Sequence, residues 1–435
     1  MSVNLQRQIG LRTAAALIIG EVIAIGIFLT PAGMVKSLGS PFWLLVVWLL
    51  MGAMALCGAL CYGELAARFP EAGGAYVYLR EAFGPTLAFL YGWMALAVMD
   101  PGLTAALAVG LASYVGYIQP LTPWVMKLIA IGSIALLALI NIRGVSLGAS
   151  FVRWLTLMKM TLLLSVVIWG FASQRGDWAN FTPLIDQRPG SAPLIAALAG
   201  GLVAAFFSFG GWWDLTKIAG EVRDPSRTMP RALVIGVTVL TVVYVLTTAV
   251  FIYLVPVEQV TSGETFAAQV GAILFGSAGG KLFSAIVVVA VFGSLAAVIM
   301  SAPRVYFAMA RDGLFVPWAA QLHPRFATPA RAIGIQAVLA SLLVLVGTFE
   351  TIISYFIFTV VVFLALTVAG LFVLRKKRMG EVTYRTPGYP VTPIVFLVLI
   401  VVLLVLLGGN RPRQALAGVA VVAAGWPLYY LLFRR

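Results

Sequence analysis

Apolar residues follow one another along this chain in long runs, and short polar links separate the runs. A helix needs about 20 such residues to cross the hydrocarbon core of a bilayer. The pattern therefore predicts an all-α polytopic membrane protein of twelve spans. These lie near residues 13–36, 42–67, 84–113, 123–142, 151–172, 193–219, 230–255, 280–308, 331–348, 351–374, 391–409 and 414–432.

The composition excludes several classes of protein. Hydrophobic residues make up 62% of the 435 residues and charged residues only 10%. A soluble domain carries about 25% charged residues, and the polar remainder here is too small to cover a water-soluble globule. Soluble enzymes, disordered chains and collagen-like fibres are therefore excluded.

The positive charge is distributed in a way that indicates topology. Lys and Arg number 29 against 15 Asp and Glu, a net charge of +14. The basic residues lie in short links between apolar runs rather than on one exposed face, so we expect contact with anionic lipids and no binding of nucleic acid. Most of them, including the cluster 375–378, fall on one side. The positive-inside rule then predicts a multi-pass protein of the cell membrane with both termini cytoplasmic.

The chain reads as one membrane domain, residues 1–435, without a separate soluble part. The link 68–85 mixes aromatic and charged residues, which is typical of an amphipathic helix packed under a bundle. The link 256–280, on the opposite side, is long enough for a short lid helix.

Glycine and proline interrupt two of the predicted spans. Gly20, Gly26 and Pro31 lie in span one, and Gly210 and Gly211 lie in span six. Glycines also permit close helix packing, which is the simpler interpretation of either feature alone. However, spans one and six are corresponding members of two five-helix halves, 13–172 and 193–374, followed by two further helices at 391–432. Without clear sequence identity between the halves, position alone predicts an inverted-repeat transporter with a midplane site.

Four motifs give the chain a family resemblance. They are IGIFLTPAG in span one, CYGELAARFPEAGGAYVYLREAFGP at 61–85, FSFGGWWDLTKIAGEVRDPSRTMPRA in and after span six, and SAPRVYFAMARDG with the later HPRFATPARA. In this order they resemble the amino acid–polyamine–organocation superfamily, closest to its L-type amino acid exchangers and their bacterial relatives. The resemblance implies a five-plus-five inverted repeat, two extra helices and alternating access.

The resemblance also implies a substrate site in which the backbone binds an α-amino acid. The substrate carboxylate would meet the N–H groups of Ile25, Gly26 and Ile27. The substrate ammonium would meet the carbonyl groups of Val22, Phe207 and Ser208, and Phe209 and Gly210 would complete the site. Phe207 matches the family's aromatic gate, although a packed phenylalanine is the simpler interpretation.

The chain departs from the family motif near this site. Ala24 and Ile25 replace the glycine and serine of GSGIF, and Trp213 replaces a polar residue of the L-type members. We therefore expect neutral, small or apolar L-amino acids. A cationic amino acid or polyamine carrier is the alternative, and it would require a pocket carboxylate such as Glu21.

Lys159 lies in the middle of span five, where an ionisable residue costs on the order of 2.5–3.5 kcal/mol. The resemblance places its ammonium where sodium-coupled relatives hold a sodium ion. Its partners would be the carbonyl groups of Gly20 and Ile23 and the hydroxyl of Ser294. This interpretation predicts a sodium-independent transporter in which Lys159 braces span one, whereas the alternative is a lysine that snorkels to the cytoplasmic side.

Two acidic residues within spans are candidate proton sites. Glu21 and Asp100 would carry a proton, pair with Lys159 or face a water-filled vestibule, and for Asp100 a local kink before Pro101 is the favoured interpretation. Glu64 and Glu221 lie near cytoplasmic span ends, where salt bridges with arginines such as Arg68 or Arg304 would act as an intracellular gate. Pairing at the surface is the default expectation for such residues.

Other kinds of site find no support in the sequence. One histidine cannot build a zinc site, and no catalytic cluster is visible, so we expect no metal, cofactor or enzymatic activity. Cys57 and Cys61 fit as small apolar residues. The resembling metazoan exchangers bind a heavy subunit through a cysteine between spans three and four, and the corresponding QPLTPW has none, so no disulfide-linked subunit is expected. The prediction is an amino acid exchanger or proton-linked symporter.

Overall fold

The computed structural model describes residues 5–260, 266–346, 357–380, 383–410 and 412–433. Within these ranges the ordered elements are helices, which confirms the all-α prediction. The α-helices are α1 (Leu11–Val22), α2 (Gly26–Leu38), α3 (Pro41–Arg68), α4 (Ala75–Phe83), α5 (Pro85–Met94), α6 (Asp100–Ile118), α7 (Pro123–Ile142), α8 (Val145–Ala172), α9 (Leu194–Phe209), α10 (Pro225–Leu254), α11 (Phe266–Phe275), α12 (Gly279–Ser301), α13 (Pro303–Arg311), α14 (Ala330–Val346), α15 (Ile357–Lys377), α16 (Val391–Asn410) and α17 (Pro412–Leu432).

Many of these helices are long and apolar enough to cross a membrane. Among the described residues ten segments meet that requirement, and α1 with α2, bent by 48°, makes an eleventh. The apolar helix α14 is shorter, and the start of the predicted span 351–374 lies outside the described residues. The multi-pass fold is therefore confirmed, and the count of twelve stays a prediction.

The outer surface of the bundle suits a lipid environment. Large apolar side chains are exposed along its sides, for example Trp124, Leu128, Ile195, Val405 and Leu431. In water such a surface would be costly, but it costs nothing against acyl chains.

Span one is broken, although not at every residue that the sequence indicated. The helix stops at Val22, whose carbonyl group accepts from the N–H of Ala24, and it restarts at Gly26. Gly20 and Pro31 lie inside α1 and α2, so the expectation that they break the span is wrong. Gly20 serves packing instead, because a Cβ there would lie 2.2 Å from Oγ1 of Thr156.

Span six is broken at the predicted glycine pair. The helix α9 ends at Phe209, Gly211 adopts φ +107°, and a 3-10 helix runs from Asp214 to Glu221. A positive φ is strained for residues with a Cβ, which explains the glycine. Helices α3, α8, α10 and α12 pack around the two broken spans and hold the breaks inside the bundle.

The two long links contain helices, as predicted. In the link 68–85, α4 packs against α5, α13 and α15, and most of its residues are buried. The link 256–280 contains α11, and residues 261–265 of that link lie outside the described residues. A lid role for α11 stays a prediction.

Candidate functional site

The breaks of spans one and six meet in the middle of the bundle. A Cβ on Gly26 would lie 2.8 Å from Cα of Ser208, closer than real Cβ contacts, so only glycine lets the two backbones approach this far. The hydroxyls of Thr30 and Ser208 are 2.9 Å apart across the same junction. Residues of both breaks therefore line a common space.

Tyr244 of α10 links the two breaks. Its hydroxyl lies 3.0 Å from the carbonyl oxygen of Val22 and 2.8 Å from that of Ser208, and its proton is donated to these acceptors. The ring packs edge-on against Trp48 and Phe209. This contact could not be predicted from the sequence, because a single tyrosine in an apolar run is ordinary. Two of the carbonyl groups expected to bind an ammonium thus already accept a hydrogen bond.

The start of α2 is suited to an anion. The first N–H groups of a helix have no partner within it, and here they belong to the predicted residues Ile25, Gly26 and Ile27. The positive end of the helix dipole adds to the attraction. A carboxylate at this helix start would satisfy groups that lipid cannot.

A cavity lies at the junction of the breaks. Of the predicted substrate residues, Val22, Ile25, Gly26, Phe207, Ser208 and Gly210 line it. Ile27 and Phe209 do not line it and are buried in the surrounding packing. Apolar side chains from α6, α12 and α15 close the other walls, and Trp213 stacks on Phe206 with the rings 6.3 Å apart.

Two ionisable side chains, Glu21 and Asp214, are among the described residues that line the cavity. Glu21 is 6% exposed, and within the described structure its Oε1 has no hydrogen-bond partner. The two side chains also lie beside the same short stretch of backbone, because the N–H of Asp214 donates to the carbonyl oxygen of Gly211 at 2.9 Å and Gly211 packs against Glu21. Glu21 was predicted from the sequence and Asp214 was not, although a charge in WWDLTK at the end of an apolar span was a visible signal.

Asp100 pairs with Lys217, which the sequence analysis did not name. Nζ of Lys217 lies 2.8 Å from Oδ1 of Asp100 and 3.0 Å from Oδ1 of Asp214. Behind the pair, the hydroxyl of Tyr306 lies 3.3 Å from Oδ2 of Asp100 and donates to Gln336 at 2.6 Å. A π-helical turn, Ala95–Met99, precedes Asp100, and a kink at Pro101 stays a prediction. The proposed pairing of Asp100 with Lys159 is wrong.

Lys159 is fully buried and joins α8 to α1 and α12. Its Nζ donates to the carbonyl oxygens of Gly20 at 2.7 Å, Ile23 at 2.8 Å and Ala290 at 2.8 Å, and it lies 3.1 Å from Oγ of Ser294. Ala290 is a partner that the sequence analysis missed. Among the described residues no carboxylate pairs with this ammonium, so the expected Glu21–Lys159 pair is absent there. Its role as a brace stays a prediction.

Ion pairs near the span ends are buried, so the default expectation of surface pairing is wrong. Both Glu64 and Glu221 are inaccessible to solvent. Arg304 lies 3.1 Å from Glu221, and Arg68 lies 2.8 Å from Glu64. Arg375 also contacts Glu64, whose second oxygen accepts from the backbone N–H of Thr386 at 2.6 Å. The packing of the helices buries both carboxylates and brings them into contact with partners that are distant in sequence.

The described residues contain no group of three or more His, Cys, Asp or Glu side chains able to hold a metal ion. The chemistry that this site offers is recognition of charged and polar groups. Backbone N–H groups suit an anion, and carboxyl and carbonyl oxygens suit a cation.

A family model described as amino acid permease matches residues 9–433. The serine/threonine exchanger SteT of Bacillus subtilis is 30% identical over 444 residues, which cover 99% of this chain and 98% of that protein. The human large neutral amino acids transporter small subunit 2 is 29% identical over 436 residues, 99% of this chain and 81% of that protein. The mouse Asc-type amino acid transporter 1 is 30% identical over 448 residues, which cover 99% of this chain and 82% of that protein.

Proposed function

This chain belongs to the amino acid permease family, within the amino acid–polyamine–organocation superfamily, and from that premise we propose that it exchanges small or apolar neutral L-amino acids across the cell membrane without sodium. Membership makes it an amino acid transporter rather than an enzyme. The substrate class, the exchange and the sodium independence are the proposal.

The meeting of the two helix breaks is the observation that supports the proposal most strongly. The start of α2 offers N–H groups to a carboxylate, and the carbonyl groups of Val22, Phe207 and Ser208 lie beside it. An α-amino acid carries both charges on neighbouring atoms. Opposite helix-end dipoles can therefore bind its zwitterionic head without contacting the side chain.

The walls of the cavity support a neutral substrate. Leu103, Leu107, Val298 and Val360 face it, and Trp213 supplies a further apolar surface. An apolar substrate side chain buried against these residues gains about 0.8 kcal/mol per methylene. We propose that Phe207 closes over the bound amino acid.

Lys159 supports sodium independence. A fixed ammonium already binds the carbonyl groups of Gly20 and Ile23 and contacts Ser294. A sodium ion would need the same oxygens and would meet electrostatic repulsion.

The proposal includes the organisation of the chain. Residues 13–172 and 193–374 would form two inverted five-helix repeats within a single domain, 1–435, with two further helices at 391–432. Both termini would be cytoplasmic, because the basic links collect on their side. The two cysteines of the chain, Cys57 and Cys61, lie on α3, so we propose that no disulfide joins it to a second subunit.

A second candidate function is transport of cationic amino acids or polyamines, favoured by the presence of Glu21 and Asp214 in the cavity. A proton-linked symporter is a variant of the first proposal, favoured by the same unpartnered Glu21. The experiment below separates these alternatives.

The proposal is tested by uptake of labelled alanine and leucine into proteoliposomes. We expect uptake to require unlabelled amino acid inside and to be unchanged when choline replaces sodium. Uptake without internal substrate that rises with external acidity would establish proton symport instead. Dependence on sodium would contradict the role given to Lys159, and competition by lysine or putrescine alone would establish the second candidate. Protein-free liposomes are the control.

A further inference from the structure

The side chains of Glu21 and Asp214, here called the carboxyl pair, take no part in the proposed recognition of the substrate by backbone groups. Glu21 immediately precedes the break of span one, and Asp214 follows the break of span six. A Cβ on Gly211 would lie 3.2 Å from Cγ of Glu21, so the unwound backbone of span six lies directly on this side chain. Both carboxyl groups line the cavity. The pair therefore stands where the two broken spans and the substrate space meet.

The buried charges around the pair do not balance. The charged groups around Glu21 come from three elements. Asp214, from the 3-10 helix, lines the same cavity, and Lys217 of that helix pairs with it and with Asp100 of α6. Lys159 of α8 binds the carbonyl groups of Gly20 and Ile23, on either side of Glu21. Lys217 already pairs with both Asp100 and Asp214, and Lys159 is held by neutral oxygens. Three carboxyl groups thus stand against two ammonium groups. An unpaired buried charge costs several kcal/mol, so the pair must hold one more positive charge.

Two buried carboxyl groups that line one cavity cannot both stay ionised unless enough positive charge lies with them. In an empty cavity a single shared proton satisfies this requirement. In a loaded cavity an ammonium group of the substrate can replace it. That group needs a strong acceptor here, because the carbonyl oxygens of Val22 and Ser208 already bind the hydroxyl of Tyr244. Oε1 of Glu21, buried and without a partner among the described residues, is such an acceptor.

We propose that the Glu21–Asp214 pair holds one cation at a time, a proton in the empty cavity and a primary ammonium group of the substrate in the loaded one. The inference rests on the proposed amino acid transport and names the side chains that bind the amine. When the ammonium binds, its N–H groups donate to the carboxylate oxygens, and the displaced proton leaves to water. Substrate and proton therefore compete for the pair.

The competition fixes the sign of the pH dependence. Where the pair is protonated, each bound substrate displaces one proton, so the apparent Kd rises about tenfold for each unit by which the pH falls. Where the empty pair carries no proton, binding displaces none and the Kd is constant. A symport site would behave oppositely, since protonation there favours substrate binding.

The test is equilibrium binding of labelled alanine and labelled lysine to the purified full-length protein, from acidic to mildly alkaline pH, with a pH indicator to record released protons. The two ligands distinguish the source of the amine. Proton release on binding alanine assigns the pair to the α-ammonium, and release on binding lysine alone assigns it to a side-chain ammonium. Binding of either ligand that is independent of pH and releases no proton overturns the proposal while leaving amino acid transport intact.

The variants are Glu21→Gln and Asp214→Asn, with Asp186→Asn as the matched control because Asp186 is exposed and lies far along the chain from both breaks. We expect Glu21→Gln to weaken binding at least tenfold at alkaline pH and to abolish proton release, while the control keeps both. Proton release that persists in both pair variants would overturn the proposal. Failure of the wild-type protein to bind any amino acid would overturn the proposed function first. Since the wild-type measurement needs no variant, a misfolded variant leaves the proposal testable.

Discussion

Lys159 shows how a single charge can be stable in the middle of a membrane bundle. Three carbonyl oxygens and one hydroxyl surround its ammonium at 2.7 to 3.1 Å. The three N–H groups of an ammonium match such a set of acceptors. The carbonyl groups of Gly20 and Ile23 adjoin the break of span one. The lysine supplies them with hydrogen-bond donors, and they supply the buried ammonium with acceptors.

Replacing Lys159 with alanine should reduce transport more than it reduces folding. Loss of the ammonium leaves the carbonyl groups of Gly20, Ile23 and Ala290 to share the single proton of the Ser294 hydroxyl, at about 1–3 kcal/mol for a lost partner, and releases the break from α8. We expect uptake in proteoliposomes to fall at least tenfold while the purified variant stays folded with a lower Tm. Lys376→Ala is the control, because Lys376 is exposed. Wild-type uptake by Lys159→Ala would refute the brace.

Tyr244→Phe should lower the thermal stability of the substrate-free protein more than that of the substrate-bound protein. Without the hydroxyl, the carbonyl groups of Val22 and Ser208 lose a donor, and a bound ammonium can take its place. We expect the variant to have a lower Tm than wild type when empty, and the deficit to shrink with saturating alanine. The control is Tyr117→Phe, whose side chain is largely exposed. A deficit of equal size with and without alanine would contradict this role.

At the scale of elements, the breaks depend on where glycine permits contact rather than on glycine alone. Gly26 and Gly33 lie on the same helix, α2. A Cβ on Gly26 would lie 2.8 Å from the backbone of Ser208, whereas a Cβ on Gly33 would have nothing within 4 Å. Helix propensity alone treats the two positions equally, and tertiary contact distinguishes them.

Gly26→Ala should therefore abolish amino acid binding, and Gly33→Ala should leave it unchanged or slightly stabilise the protein. The added methyl group at position 26 must push the two breaks apart, which displaces the N–H groups from the carbonyl groups. An alanine at position 33 gains up to about 1 kcal/mol of helix propensity. Binding of labelled alanine and Tm measure both effects, and equal behaviour of the two variants would show that the breaks need not touch.

At the scale of the whole molecule, Glu64 joins parts of the chain that are far apart in sequence. It contacts Arg68 one turn away on α3, Arg375 at the end of α15, and the backbone of Thr386 before α16. The carboxylate is inaccessible to solvent, while Arg375 is partly exposed. One acidic side chain thus connects the first helices to the last third of the chain.

Glu64→Gln should destabilise the whole bundle. Breaking a buried ion pair by removing one partner costs about 3–5 kcal/mol, because the remaining charge stays buried. We expect a clear fall in Tm, measured in detergent, and a smaller loss of uptake at moderate temperature. Glu71→Gln is the control, since the Glu71 side chain is 59% exposed. Similar Tm values for the two variants would mean that Glu64 is not a structural link.

Features that depend on neighbouring residues could be predicted without the fold. Hydrophobic runs predicted the helices, because each span must satisfy its backbone within one continuous segment. The glycines at 26 and at 210–211 indicated both breaks, and the depth of Lys159 singled it out before its partners were known. Each of these patterns lies within one segment of the chain, so it can be interpreted without knowing how the helices pack.

Contacts between groups that are distant in sequence depend on helix packing and could not be predicted. Lys217 reaches Asp100 across 117 positions, Tyr244 reaches Val22 across 222, and Arg375 reaches Glu64 across 311. Asp214 lines the cavity because it stands at the start of the 3-10 helix that follows the break of span six. The pairing of buried charges depends on how helices pack, and twelve predicted spans allow many packings of the same local pattern. For that physical reason the positions of the breaks could be predicted from the sequence, whereas the charged groups around them follow from the packing of the helices.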